Sequence, residues 1–165
     1  FSFQHARVQP DVLTTAKGMG NGFPMGACLT GGRAANVLQA GHHGSTFGGS
    51  PLACAAGLAV NRAIHDEKLM ENATRQGDRI RQGLQEALAD VEQLKEIRGL
   101  GLMIGIELTV PASELVNLAR AKGLLITVQM DKVIRLLPPL IISNEESQII
   151  IDILGKLIRE FCHGP

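Results

Sequence analysis

The sequence predicts an α/β fold that passes, beyond a long amphipathic helix, into a smaller α+β region. The reading rests on three observations. Over residues 11–49, short apolar and β-branched runs alternate with glycine-rich loops, the texture of strands joined by irregular segments. Leu69, Ala73, Ile80, Leu84 and Leu88 then recur at helical spacing among charged residues. From Ile97 onward, short strand-like runs and helical runs take turns. With 165 residues, 45% of them hydrophobic and 19% charged, the chain can bury a proper core.

In chain order, residues 11–15 follow a proline and read as a short strand that ends at Lys17. The glycine-rich loop 18–24 cannot be regular, and residues 25–30 suit the next strand before a break at Gly31 and Gly32. A second glycine-rich loop, 41–49, leads to Ser50 and Pro51, a helix-capping residue followed by proline at the first helical position. Residues 52–64 are apolar all round and are expected to be buried, whereas the helix over 68–90 is amphipathic and is expected to link two domains. Beyond it we expect a strand at 102–109, a helix at 113–122 stopped by Gly123, and strands at 124–128 and 133–137. A final helix opens on Ser143 and Glu146, a capping-box pair, with Ile149, Ile150, Ile153, Leu154, Leu157 and Ile158 as its inner face. The expected organisation is residues 1–66 as part of one domain, 67–96 as a connecting helix, and 97–165 as a small α+β domain.

Charge narrows the function classes. Sixteen basic and sixteen acidic residues cancel without long runs, which argues against a nucleic-acid surface or a polybasic membrane patch. No apolar run approaches the roughly 20 residues that a spanning helix needs. The three cysteines show no metal-binding spacing and cannot all pair, so a reducing, cytoplasmic location is the expectation, with no metal. The chain opens on Phe1 and lacks Trp and Tyr, from which we expect it to be a fragment of a longer protein.

A lysine at a strand end beside a glycine loop is a candidate nucleophile, because burial lowers the ammonium pKa and frees a reactive amine. Taken alone, Lys17 is more simply a solvated strand cap. In the loop 41–49, Gly41, Gly44, Gly48 and Gly49 let successive backbone N–H groups converge on an anion, and Ser45 and Thr46 add hydroxyls. Taken alone, that loop is a tight turn whose hydroxyls satisfy local backbone. Arg135 lies in an otherwise apolar strand, where an isolated guanidinium needs an anionic partner and offers a fork that matches a carboxylate. A structural ion pair would account for it equally.

Residues 10–27, centred on Thr15-Ala16-Lys17-Gly18, and residues 43–53, centred on Gly44-Ser45-Thr46-Phe47-Gly48-Gly49, together resemble the class III, ornithine-type aminotransferases. The resemblance extends along essentially the whole chain. It implies the fold-type I architecture of pyridoxal-phosphate-dependent transferases: a large domain with a mostly parallel sheet, a small α+β carboxy-terminal domain, and a homodimer with shared active sites. It implies that Lys17 bonds pyridoxal 5'-phosphate, that Ser45 and Thr46 reach the cofactor phosphate of the neighbouring subunit, and that Arg135 binds a substrate carboxylate. Ser50 stands where the family usually has Asn.

The stretch from Arg135 to Ile142 and the phrasing around Lys17 most resemble those family members that move an amino group from N-acetylornithine to 2-oxoglutarate in arginine biosynthesis, and the resemblance implies that activity, with succinyl-diaminopimelate as a further donor. Ornithine or 4-aminobutyrate as donor is the alternative within the family. The rival of another class is a non-catalytic folding or dimerisation module; a cofactor-free lysine aldolase is weaker, because it leaves the phosphate loop unexplained. By itself the 165-residue piece is expected to be inactive.

Overall fold

A computed structural model describes residues 1–163, which fall into two compact units that meet between Glu67 and Lys68. Among the described residues, no helix is long and apolar enough to cross a membrane.

The first unit opens with a short helix, α1 (Ser2–His5), and contains an antiparallel strand pair, β1 (Val12–Thr15) and β2 (Ala27–Thr30). Their register runs from Val12 opposite Thr30 to Thr15 opposite Ala27. The two strands present are therefore antiparallel, whereas the resemblance implies a mostly parallel sheet for the large domain. Between them Lys17–Gly20 forms a 3-10 turn. An ion pair that the sequence did not advertise closes the other end. Asp11 accepts bonds from the Arg33 backbone N–H at 2.8 Å, from Nε at 3.0 Å and from Nη2 at 2.7 Å. Gly32, at φ 49°, runs so close to the Asp11 carboxylate that a Cβ would collide with it.

Helix α2 (Pro51–Asp66) starts at Ser50 and Pro51 as the sequence indicates, but the Ser50 hydroxyl makes no capping bond. The expectation that this helix is buried is overturned: Gly57 is its one buried residue, and Leu52 and Leu58 are 65% and 58% exposed. The reason is lack of cover, since the helix packs in its unit against the Lys17–Gly20 turn and leaves its other faces open. Met25 fills the notch of that contact, lying within 2.9 Å of the point where a Cβ would stand on either Gly20 or Gly57.

In the second unit Lys68, at φ 53°, precedes α3 (Leu69–Ala87). This helix ends well before residue 96. Leu88 and Val91 drop into the core, and the chain turns directly into β3 (Leu94–Leu100), which the sequence reading had missed. β4 (Met103–Leu108), α4 (Leu115–Ala121), β5 (Thr127–Gln129), β6 (Val133–Leu136) and α5 (Asn144–His163) follow. The sheet is antiparallel throughout, in the order β3-β4-β6-β5. Alternation along its strands sends Ile104, Ile106, Leu108, Ile134 and Leu136 inward, where they meet Ile80, Leu84, Leu154 and Ile158 of α3 and α5.

The helices are seated by small residues. Gly83 receives the side chain of Ile151, and Gly155 lies against Ala87. That placement turns Ile151 inward and leaves Ile149 54% exposed, correcting the expected inner face of α5 by one position. The capping box forms as expected: Glu146 accepts from the Ser143 N–H at 2.8 Å, and the Ser143 hydroxyl accepts from the Glu146 N–H at 3.1 Å. Buried Gln76 donates to Asn144 Oδ1 at 2.7 Å and accepts from Ser147 Oγ at 2.9 Å. One turn earlier, Asn72 Nδ2 donates to the carbonyls of Leu140 at 2.7 Å and Ile142 at 3.1 Å, which ties down the segment that follows β6.

The tightest contact joins α3 to the β3–β4 turn. Gly77 is buried against Gly101, at φ 54°, and a Cβ on Gly77 would collide with the Gly101 carbonyl oxygen. Because that neighbour is backbone, relief requires the hairpin to shift, as in overpacked cores that lose roughly 1–3 kcal/mol. Gly77→Ala should lower the urea midpoint by a corresponding amount despite the better helix propensity of alanine. An unchanged or raised midpoint would show that the hairpin yields freely.

Candidate functional site

Lys17 lies two residues past the end of β1 and takes a left-handed backbone conformation, φ 52°, which is uncommon for a non-glycine residue. What holds it is local. The Met19 N–H bonds the Ala16 carbonyl at 3.2 Å and the Asn21 N–H bonds the Gly18 carbonyl at 3.2 Å, while Met25 wedges the turn against α2. Lys17 lines a cleft of about 420 Å³ with Gly18, Asn21, Gly22, Phe23, Pro24 and Met25. The side chain is exposed, so the buried amine anticipated from sequence is not what this unit presents: no described element covers the cleft.

The loop 41–49 is exposed along its whole length, with Gly41 and Gly49 at φ 87° and 72°. Ser45 and Thr46 make no side-chain hydrogen bond among the described residues, so their hydroxyls are not absorbed in closing the turn. Backbone does that instead, through Gly48 N–H to Ser45 O at 3.3 Å and Ser50 N–H to Phe47 O at 3.2 Å. Lys17 and this loop belong to the same unit, and no hydrogen bond joins them among the described residues.

Arg135 belongs to the second unit, on the sheet face away from the core. Register aligns four residues across that face: Thr127 on β5, Arg135 on β6, Gly105 on β4 and Arg98 on β3. Arg135 Nε donates to Thr127 Oγ1 at 3.2 Å, and no carboxylate pairs with the guanidinium among the described residues. The one acid nearby on β4, Glu107, is engaged elsewhere. Lys95 Nζ lies 2.7 Å from one of its oxygens and Arg98 Nη1 lies 2.6 Å from the other, while Arg98 also reaches Glu96 at 2.8 Å. Lys95 first and Arg98 second hold the Glu107 carboxyl below its ordinary range, and Glu107 with Glu96 raises the Arg98 guanidinium further. Charge on β3 and β4 is thus balanced internally, and Arg135 keeps its cation available.

The residues suit both ends of pyridoxal phosphate: an amine for its aldehyde, and two unclaimed hydroxyls on a glycine-rich loop for its phosphate. The lining of the Lys17 cleft contains no carboxylate for the ring nitrogen.

The class-III aminotransferase family model matches residues 1–158. The chain belongs to that family. It is 51% identical over 161 residues to acetylornithine aminotransferase 1 of Bordetella bronchiseptica, covering 98% of this chain and 41% of that protein. Among solved structures, acetylornithine aminotransferase of Elizabethkingia anophelis superposes with a TM-score of 0.88 at 35% identity, covering 98% of this chain and 44% of that one. Ornithine aminotransferase of Toxoplasma gondii, in a crystal with partial pyridoxal phosphate occupancy at its active site, gives a TM-score of 0.91 at 32% identity over 99% of this chain and 41% of that one. The chain thus spans about two-fifths of the length of the curated relatives it matches.

Thr127 and the Glu107 cluster were invisible in sequence. Alternation along the strands could have put Gly105, Glu107 and Arg135 on one side, but which residues stand opposite one another depends on the cross-strand register.

Because the folded-state pKa of Glu107 is depressed, its ion pairs are complete at neutral pH and are lost as pH falls through that lowered value. A carboxyl-carbon NMR titration should therefore give a Glu107 midpoint below the ordinary glutamate value of about 4.3. Lys95→Ala should raise that midpoint more than Arg98→Ala, and the reverse order would mean that Arg98 is the dominant partner.

Proposed function

We propose that this chain supplies the cofactor lysine and a substrate-carboxylate site of a pyridoxal-phosphate-dependent aminotransferase that moves an amino group from N-acetylornithine to 2-oxoglutarate. The observation that carries the reading is Lys17, held in a left-handed backbone just past a strand end within the family's motif; in the other unit, the Arg135 guanidinium has no carboxylate partner among the described residues. High identity to acetylornithine aminotransferases supports the choice of donor over ornithine or 4-aminobutyrate. We assign the first unit to the large domain and the second to the small domain of a fold-type I enzyme, working as a homodimer with shared active sites. With all three cysteines free, a reducing, cytoplasmic setting suits it.

Each residue has a distinct task. Lys17 Nζ would hold the cofactor through its aldehyde and, when not so engaged, would accept and return the proton of the reacting substrate carbon. Bound pyridoxal phosphate supplies the ring that accepts the electron pair of the broken bond. Ser45 and Thr46, with the glycine N–H groups around them, hold the phosphate from the neighbouring subunit. Arg135 fixes a substrate carboxylate by two parallel N–H bonds, so that amino donor and 2-oxoglutarate use one anchor in turn.

Borohydride reduction of the full-length protein loaded with cofactor should place the label on the peptide that contains Lys17. Labelling of Lys17→Ala at the wild-type level would remove the assignment. Arg135→Lys keeps the charge but loses the fork, and should cut kcat/KM for both N-acetylornithine and 2-oxoglutarate about tenfold or more, the scale of a lost hydrogen bond to a charged group. Unchanged kcat/KM with both substrates would make Arg135 structural.

A further inference from the structure

We propose that Thr127 is a positioning residue for the substrate carboxylate, acting through Arg135; this rests on Arg135 holding that carboxylate. The two residues face one another across the β5–β6 ladder, and the Thr127 hydroxyl accepts from Arg135 Nε at 3.2 Å. Nε is the single N–H at the root of the guanidinium, so occupying it leaves the two terminal nitrogens as the available fork. A carboxylate then approaches end-on, with one oxygen on each terminal nitrogen. Approach along the Nε edge would have to displace Thr127.

Two neighbours keep this arrangement clear. On the other side of Arg135 in the ladder stands Gly105, which puts no side chain between it and Arg98, and Arg98 is already bound to Glu96 and Glu107. Glu107, opposite Val133, is near enough in the ladder to compete for Arg135, but both of its oxygens are occupied by Lys95 and Arg98. Thr127 is a neutral acceptor, so it can hold Nε without neutralising the charge that the substrate needs. β-branched threonine also suits an edge strand, where its χ1 is restricted and its hydroxyl direction is set.

The test uses the full-length holoenzyme and glutarate, which has both carboxylates of 2-oxoglutarate but no carbonyl to react. Thr127→Val, which keeps the shape and removes the acceptor, should weaken glutarate binding by calorimetry about 2- to 12-fold, the range of one net hydrogen bond. KM for 2-oxoglutarate should rise by a similar factor while kcat stays near wild type. Thr127→Ala should repeat the loss and Thr127→Ser should restore binding, since serine keeps the hydroxyl. Wild-type glutarate affinity in Thr127→Val, alongside weakened binding in Arg135→Lys, would overturn the role of Thr127 and leave that of Arg135 standing. Losses in Thr127→Val and Thr127→Ala without rescue by serine would overturn it too, as an effect of strand packing. If Arg135→Lys itself bound glutarate normally, both readings would fall together.

Discussion

The second unit depends on how closely α3 approaches the β3–β4 turn at Gly77 and Gly101. Two backbones meet there with no side chain between them, which fixes the height of the sheet on the helix. From that contact the apolar rows of β4 and β6 reach Ile80 and Leu84, and the chain can turn at Leu88 and Val91 into β3. The same closeness recurs between α3 and α5, where Gly83 and Gly155 remove the bulk that would hold the helices apart. Three glycines in helices, each a modest cost in propensity, thus set the geometry on which one sheet face becomes core and the other stays outside it.

The free face follows from the period of two. Once Ile104, Ile106, Ile134 and Leu136 are committed inward, Gly105, Glu107 and Arg135 have no choice but to point outward. Two cations from β3 then absorb Glu107, and the Arg135 guanidinium is left with a neutral neighbour in Thr127. Exposed ion pairs of this kind contribute little to stability. Their effect here is to engage Glu107, so that no carboxylate pairs with Arg135 among the described residues. The buried bonds of Asn72 and Gln76 play a complementary part, holding residues 140–142 and the start of α5 directly after the strand that carries Arg135.

The first unit is built on a different balance. Its strand pair is short, and α2 shows apolar side chains to solvent that a self-sufficient domain would bury. Lys17 is held in place nonetheless, by a left-handed backbone, by two turn hydrogen bonds and by Met25 between two glycines.

Sequence alone determined the features that rest on short-range physics. The capping box at Ser143 and Glu146, the proline start of α2, the strands ending near Lys17 and the stop at Gly123 are all decided within a few residues of chain. The motifs around Lys17, Ser45 and Thr46 were legible for the same reason, being contiguous, and they carried the family. What periodicity could not resolve were matters of cover and register. An apolar run reads as a buried helix, but burial depends on what packs against it, and α2 packs in its unit against the Lys17–Gly20 turn with its other faces open. Ile149 and Ile151 exchange places because a glycine on another helix made room for one of them. The start of β3, the Asp11–Arg33 clamp, the occupation of Glu107 and the Thr127–Arg135 pair all join residues separated in sequence, and only the tertiary structure, by choosing the register, could bring them together.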